Sequence, residues 1–172
     1  MSLAHKDDYF ETPQWLFQYL QEKTKLYFGL DVSADSYNAK CNEYIDEDLD
    51  ALKQEWIVHE NRALNTKCKK MELHSGTGTH GDASIFCNPP RSKNGKFVEK
   101  AYEQWEKNNI DIVILMCWND LGNKYAQKLM PCILDGSIEI GNLGKIKFNK
   151  NGKESEFVSR LTYLWVWFKR KH

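Results

Sequence analysis

No run of apolar residues in this chain approaches the eighteen or so needed to cross a bilayer, and its start lacks the apolar stretch of a secretory signal. A soluble, cytoplasmic protein with no membrane partner is the expectation. Cysteine is scarce and scattered: Cys41, Cys68, Cys87, Cys117 and Cys132 are odd in number and far apart, whereas disulfide frameworks and zinc sites use closely spaced pairs. A reducing compartment suits them. No CxxC or HxxxH pair nucleates a metal site from Cys41, Cys68, His74 and His80, so no metal is expected and the thiols read as core or loop residues. Low complexity and disorder are excluded too, because 41% hydrophobic and 13% aromatic residues supply a core. At 172 residues that core is one domain, 1–172, with 1–8 expected as a disordered tail and 74–83 as a flexible loop.

Excess charge of either sign is also missing: 24 basic residues balance 24 acidic ones. The balance hides segregation. Glu43, Asp46, Glu47, Asp48 and Asp50 form an acidic run, Arg91, Lys93, Lys96 and Lys100 follow Pro90, and Lys145, Lys147, Lys150, Lys153 and Arg160 crowd toward the end. Local field, rather than net charge, attracts a polyanion, so binding to one remains open; solvated faces are the plainer reading of the same charges.

Thr12-Pro13 reads as a helix start, a capping hydroxyl followed by proline in the first turn, and Trp15, Leu16, Tyr19 and Leu20 carry the helix from Pro13 to about Lys25. Tyr27 to Val32 is a buried strand that carries Asp31 near its end. Leu49, Leu52 and Trp56 have the spacing of a short helix. Ser84 to Cys87 is a second strand, and Asn88-Pro89-Pro90 forces the backbone out of the sheet after it. Gly95 opens an amphipathic helix in which Phe97, Ala101 and Trp105 recur beside Val98 and Tyr102. Ile110 to Met116 is almost wholly apolar and β-branched, the pattern of a central parallel strand covered on both faces. Asn123 to Met130 continues as helix, and Ser137–Ile140, Lys145–Phe148 and Leu161–Phe168 follow as strands, the last two without a helix between them. The fold class expected is α/β: a three-layer, mostly parallel sheet closed by an antiparallel hairpin, with ligands beyond the carboxyl ends of its strands.

Chemistry concentrates at Asn88-Pro89-Pro90. An exocyclic amine such as adenine N6 is a poor nucleophile because its lone pair is delocalised into the ring. An enzyme must accept its two protons and hold the nitrogen nearer tetrahedral geometry. The Asn88 side-chain oxygen and the Pro89 carbonyl are suited to that, and prolines present no competing N–H. A rigid loop after a strand explains the tripeptide equally well. The loop from Gly76 to Gly81 lacks the Walker lysine pattern and reads as a mobile substrate-side loop or an insertion.

Several ordered motifs join this one: Tyr9-Phe10-Glu11-Thr12-Pro13; Phe28 to Ala34; Asn38-Ala39-Lys40-Cys41 with Tyr44; Asp50-Ala51-Leu52 with Trp56; Phe86 to Pro90; and Gly144 to Phe148. Together they resemble the phage-type, Dam-like DNA N6-adenine methyltransferases, found in bacteriophages and prophages. The resemblance implies a Rossmann-like methyltransferase fold, S-adenosylmethionine as methyl donor and an adenine flipped from double-stranded DNA as acceptor. It implies that Asn88, Pro89 and Pro90 bind the amine. Thr12, Pro13, Asp31 and Ser33 are implied to hold the cofactor, Asp31 contacting its amino group or ribose hydroxyls; a turn or cap role is the alternative for Asp31. Asp50 is a weaker cofactor candidate within its acidic run. Lys93, Lys96, Lys145 and Lys147 are candidate phosphate partners. Arg91 departs from the family's pattern, in which an aromatic residue, most often tyrosine, stacks on the base. A guanidinium plane also stacks on bases. Phe86, Phe97 and Trp118 are candidates for a replacement ring. A DNA-binding protein that has lost catalysis, or a methyltransferase for a protein amide, fits the same motif. No separate recognition domain is visible, so a short target read through shape or by a homodimer is expected.

Overall fold

The computed structural model describes residues 9–58, 83–156 and 158–172. The expected tail at 1–8, the glycine loop up to residue 82, and Cys68, His74 and His80 lie outside them, and Ala83 is already the first residue of a strand.

Helix α1 (Gln14–Thr24) leads into strands β1 (Tyr27–Asp31) and β2 (Glu43–Tyr44). Strand β3 (Ala83–Cys87), helix α2 (Asn94–Asn108) and strand β4 (Ile112–Cys117) follow. Two short helices, α3 (Lys124–Gln127) and α4 (Met130–Leu134), precede β5 (Ile138–Lys145), the ribbon β6 (Asn149–Lys150) and β7 (Lys153–Glu154), and β8 (Thr162–Phe168). Six strands form one sheet in the order β2-β1-β3-β4-β8-β5. The pairings among β2, β1, β3 and β4 are parallel; β8 runs antiparallel to both β4 and β5 and lies between them. The fold is therefore α/β, a Rossmann-like sheet, mostly parallel among its first four strands and closed by antiparallel ones.

Why β4 is central follows from its side chains, which are buried at every position. Ile112, Ile114 and Met116 join Phe97, Val98, Ala101 and Trp105 of α2 on one face. Val113, Leu115 and Cys117 join Leu16, Phe17 and Leu20 of α1 on the other. Period two on the strand meets helices on both sides, giving three layers. In β1 the period is broken on purpose. A bulge between Phe28 and Leu30 puts Phe28 in the α1 layer and Leu30 in the α2 layer, although they are two residues apart. Asp31 thereby pairs in register with Phe86 and falls on the α1 side.

Several local expectations are corrected. Pro13, in extended conformation, occupies the N-cap of α1, and Thr12 bonds elsewhere instead of capping the helix. Trp15 and Tyr19 are 54% and 41% exposed, because Leu16, Phe17 and Leu20 form the buried stripe. The segment with Leu49, Leu52 and Trp56 is a chain of turns. Asp46 Oδ1 accepts from the Leu49 N–H and Asp50 Oδ1 from the Leu52 N–H, and Asp50 has φ +53°, so aspartate side chains outcompete helical bonding. The helix expected over Asn123 to Met130 is two, with Pro131 in the first turn of the second, where its missing N–H costs nothing. Lys145–Phe148 is not a strand of its own. Lys145 ends β5, and Ile146 and Phe148 turn inward beneath α1.

Candidate active site

The carboxyl ends of β1, β3 and β4 lie side by side, since Asp31 pairs with Phe86 and Cys87 with Ile114. The chain leaving β3 is Asn88-Pro89-Pro90, and Lys93 N–H donates to Pro90 O (2.9 Å) as a short helical turn, Arg91–Lys93, starts α2. Asn88 is half-buried. Its Nδ2 donates to Thr12 Oγ1 (3.0 Å) and to Phe10 O (3.4 Å). A carbonyl oxygen only accepts, so the amide nitrogen must face Phe10 and the Oδ1 acceptor is turned away from the N-terminal segment.

Two clefts meet at Asn88 and Phe10. The first is lined by Glu11, Thr12, Asp31, Ser33, Asn38 and Lys40 together with those two residues. Asp31 is 3% exposed, and its carboxylate accepts from the Ser33 N–H (3.3 Å) and the Lys40 N–H (3.2 Å). Burial raises its pKa to about 6, against the lowering by those two N–H groups and the Lys40 charge. Lys40 is shifted the opposite way, down, by its own burial. Glu11 is buried as well, accepting the Gly152 N–H (3.1 Å) while its backbone exchanges hydrogen bonds with Asn149 (2.9 Å each way). That bridge ties the N-terminal motif to the β6–β7 ribbon.

The second cleft lies on the other side of Asn88 and is lined by Pro89, Arg91, Asn94, the end of β4, Phe148 and Tyr163. Phe10 stacks on Phe148 (5.7 Å, 3°), and Phe148 meets Tyr163 edge-on (4.7 Å, 66°). The candidate replacement rings are elsewhere: Phe86 and Phe97 are buried in the two core layers, and Trp118, half exposed beyond β4, does not line the cleft. Arg91 is held by an ion pair between its Nη1 and Asp120 Oδ2. Asn94 Nδ2 donates to the same oxygen (2.6 Å).

The sequence candidates thus separate. Thr12, Asp31 and Ser33 share the first cleft, and Asn88, Pro89 and Arg91 share the second. Pro13 stands just outside, at the N-cap of α1, and Pro90 shapes the exit from β3 without lining either cleft. Asp50 lines neither; its carboxylate pairs with Lys53 (2.8 Å). Lys93 is 4.0 Å from Glu47, and Lys96 is exposed on the first turn of α2. Lys145 is exposed at the end of β5, and half-buried Lys147 precedes Phe148. Sequence reading missed Glu11, Asn94, Asp120 and Tyr163. Asp120, an acid three residues beyond the buried strand β4, carried a weaker form of the signal that marked Asp31; Tyr163 carried none, since only the insertion of β8 beside β4 brings it to the site.

Among curated proteins none matches the chain. A family model described as DNA N-6-adenine-methyltransferase (Dam) matches residues 2–128, a span that takes in α1, the parallel strands β1 to β4, Asn88-Pro89-Pro90 and Asp120. With three parallel strand ends, two clefts meeting at Asn88 and a match over most of its length, the chain belongs to the DNA N6-adenine methyltransferase (Dam) family.

Proposed function

We propose that the protein methylates N6 of an adenine extruded from double-stranded DNA, using S-adenosylmethionine, with Asn88 Oδ1 and the Pro89 carbonyl accepting hydrogen bonds from the two amine N–H groups. One observation carries the reading: the Asn88 amide is anchored through its nitrogen at the junction of two clefts, which turns its oxygen to other use. The first cleft fits the cofactor. A buried carboxylate at Asp31 and the Glu11 carboxylate complement a cation that also carries hydroxyls, and a carboxylate has lone pairs to spare beyond the two N–H groups bound to Asp31. S-adenosylmethionine supplies an electrophilic methyl group on a sulfonium when bound. Thr12 and Ser33 are assigned to the same cleft. Asp50 is left out of this assignment, because it lines neither cleft.

On the acceptor side Asn88 and Pro89 orient the amine and draw its hydrogens, so the nitrogen lone pair is directed at the neighbouring cleft. Pro90 fixes the turn that presents them. As N6 takes the methyl group, the bond from that methyl to sulfur would break with its electron pair left on a neutral thioether; the positive charge developing on N6 lies beside the Asn88 oxygen and is relieved as one amine proton passes to water. Extruding the base costs a few kcal/mol, and phosphate contacts must hold the duplex meanwhile. Lys93 and Lys96, on either side of Asn94 in the chain, and Lys145 and Lys147, just before Phe148, are assigned that task.

The test is to incubate the protein with unmethylated DNA and isotopically labelled S-adenosylmethionine and to measure labelled N6-methyladenine in the nucleoside digest. We expect signal from the wild type and at least a hundredfold less from Asn88→Ala, whose circular dichroism and melting should stay those of a folded protein. Wild-type cofactor binding without methyladenine would sink the reading; salt-dependent DNA binding indifferent to cofactor would favour the non-catalytic alternative.

A further inference from the structure

Resting on that function, we infer that Arg91 forms a flat wall of the acceptor cleft on which the extruded base stacks, and that Asp120 is the positioning residue that holds it there. The cleft has the lining a planar base requires: the rings of Phe10, Phe148 and Tyr163, the apolar end of β4, and one cation, Arg91. A hydrogen bond from Nη1 to Asp120 Oδ2 lies in the plane of the guanidinium and uses its edge. That bond does not occupy the faces of the guanidinium. The pair is well shielded, with side-chain exposures of 24% for Arg91 and 8% for Asp120. Asp120 is itself braced, taking Asn94 Nδ2 on Oδ2 (2.6 Å) and Asn123 Nδ2 on Oδ1 (3.4 Å).

Asn94, which lines the same cleft, is tied into this network. Holding its amide nitrogen on Asp120 leaves Asn94 Oδ1 buried with no partner among the described residues. Buried acceptors are ordinarily satisfied, and this one belongs to a residue that lines the acceptor cleft.

Three substitutions separate a stacking plane from an ion pair that only supports the fold, each assayed for methylation of unmethylated plasmid DNA with kcat and KM resolved, beside melting temperature and cofactor affinity. Arg91→Lys keeps the charge and the partner but has no plane; we expect kcat/KM for DNA to fall about tenfold or more, the worth of one base–ring stack, with melting and cofactor affinity unchanged. Asp120→Asn leaves the guanidinium unheld and should lower kcat/KM in the same direction. The double variant Arg91→Tyr with Asp120→Asn supplies a ring without stranding a buried carboxylate, and should recover activity to within a few-fold of wild type. Full activity in Arg91→Lys overturns the inference and leaves the proposed function standing. So does a folded double variant no more active than Arg91→Lys, which would point to a hydrogen-bonding or phosphate role for the guanidinium. A wild-type protein that methylates no adenine overturns both readings.

Discussion

Asn88 owes its orientation to a hydroxyl 76 residues away in the chain. Thr12→Val removes that acceptor while preserving shape and burial. We expect about a tenfold fall in kcat, while Thr12→Ser keeps wild-type rates; equal rates in all three would show that Phe10 O suffices to hold the amide. Asp31 makes a different kind of prediction. Its pKa in the folded protein, about 6, exceeds the ordinary 3.8, so the folded state binds the extra proton between those values. Ionised Asp31 therefore costs the unliganded protein about 3 kcal/mol at pH 7, a cost that shrinks as pH falls through 6 and is gone below 4. A cationic cofactor group needs the ionised form. Its affinity should accordingly fall about tenfold per pH unit below pH 6, with binding near pH 6 releasing a proton to buffer; calorimetry in two buffers reads both, and an affinity flat from pH 5 to 7 would refute the assignment. Asn88, Pro89 and Asp31 were legible in sequence because each lies at a strand's carboxyl end. Asn94 looked like any residue opening a helix, and its part in the site comes from Asp120, on a different element.

Among the elements, β1 decides whether the cofactor cleft exists. Strict alternation from Phe28 would turn Asp31 toward α2; the bulge at Gly29 turns it toward Thr12 instead. Gly29 is tightly enclosed, for a Cβ there would come within 2.8 Å of both Ala83 Cβ and Val58 Cγ1. Gly29→Ala should destabilise the protein by about 1–3 kcal/mol and weaken cofactor binding more than its loss of stability explains. Thermal melting with and without cofactor measures the two effects, and unchanged affinity would mean the bulge does not aim Asp31. Most elements could be read from sequence where a period was clear and long: α1, α2 and β4 appear within a few residues of their expected bounds. The turns around Asp46 and Asp50 could not, because their apolar spacing is helical and the aspartate side chains that override it act through bonds that spacing does not reveal. No period announces the bulge either.

At the scale of the whole molecule, zero net charge conceals local runs of lysine, Lys145 and Lys147 among them, which are proposed to meet phosphate. Replacing Lys145 and Lys147 by Gln should reduce the slope of log affinity for DNA against log salt by about 2, weakening binding to all sequences alike. An unchanged slope would remove both lysines from the interface. The order of strands in the sheet was not legible from sequence, which showed an antiparallel ending but not where it docks. That docking matters for how the molecule is made. Strand β8 fills the place between β4 and β5, and follows both in the chain. While the ribosome is still adding residues, β4 therefore has one bare edge, and β5 has no neighbour to pair with. Closure joins segments distant in sequence, a slow step that exposes apolar edges while it waits. Refolding should be limited by the arrival of β8, and the nascent chain is most open to chaperones, or to mispairing with another copy, in the interval before that strand emerges.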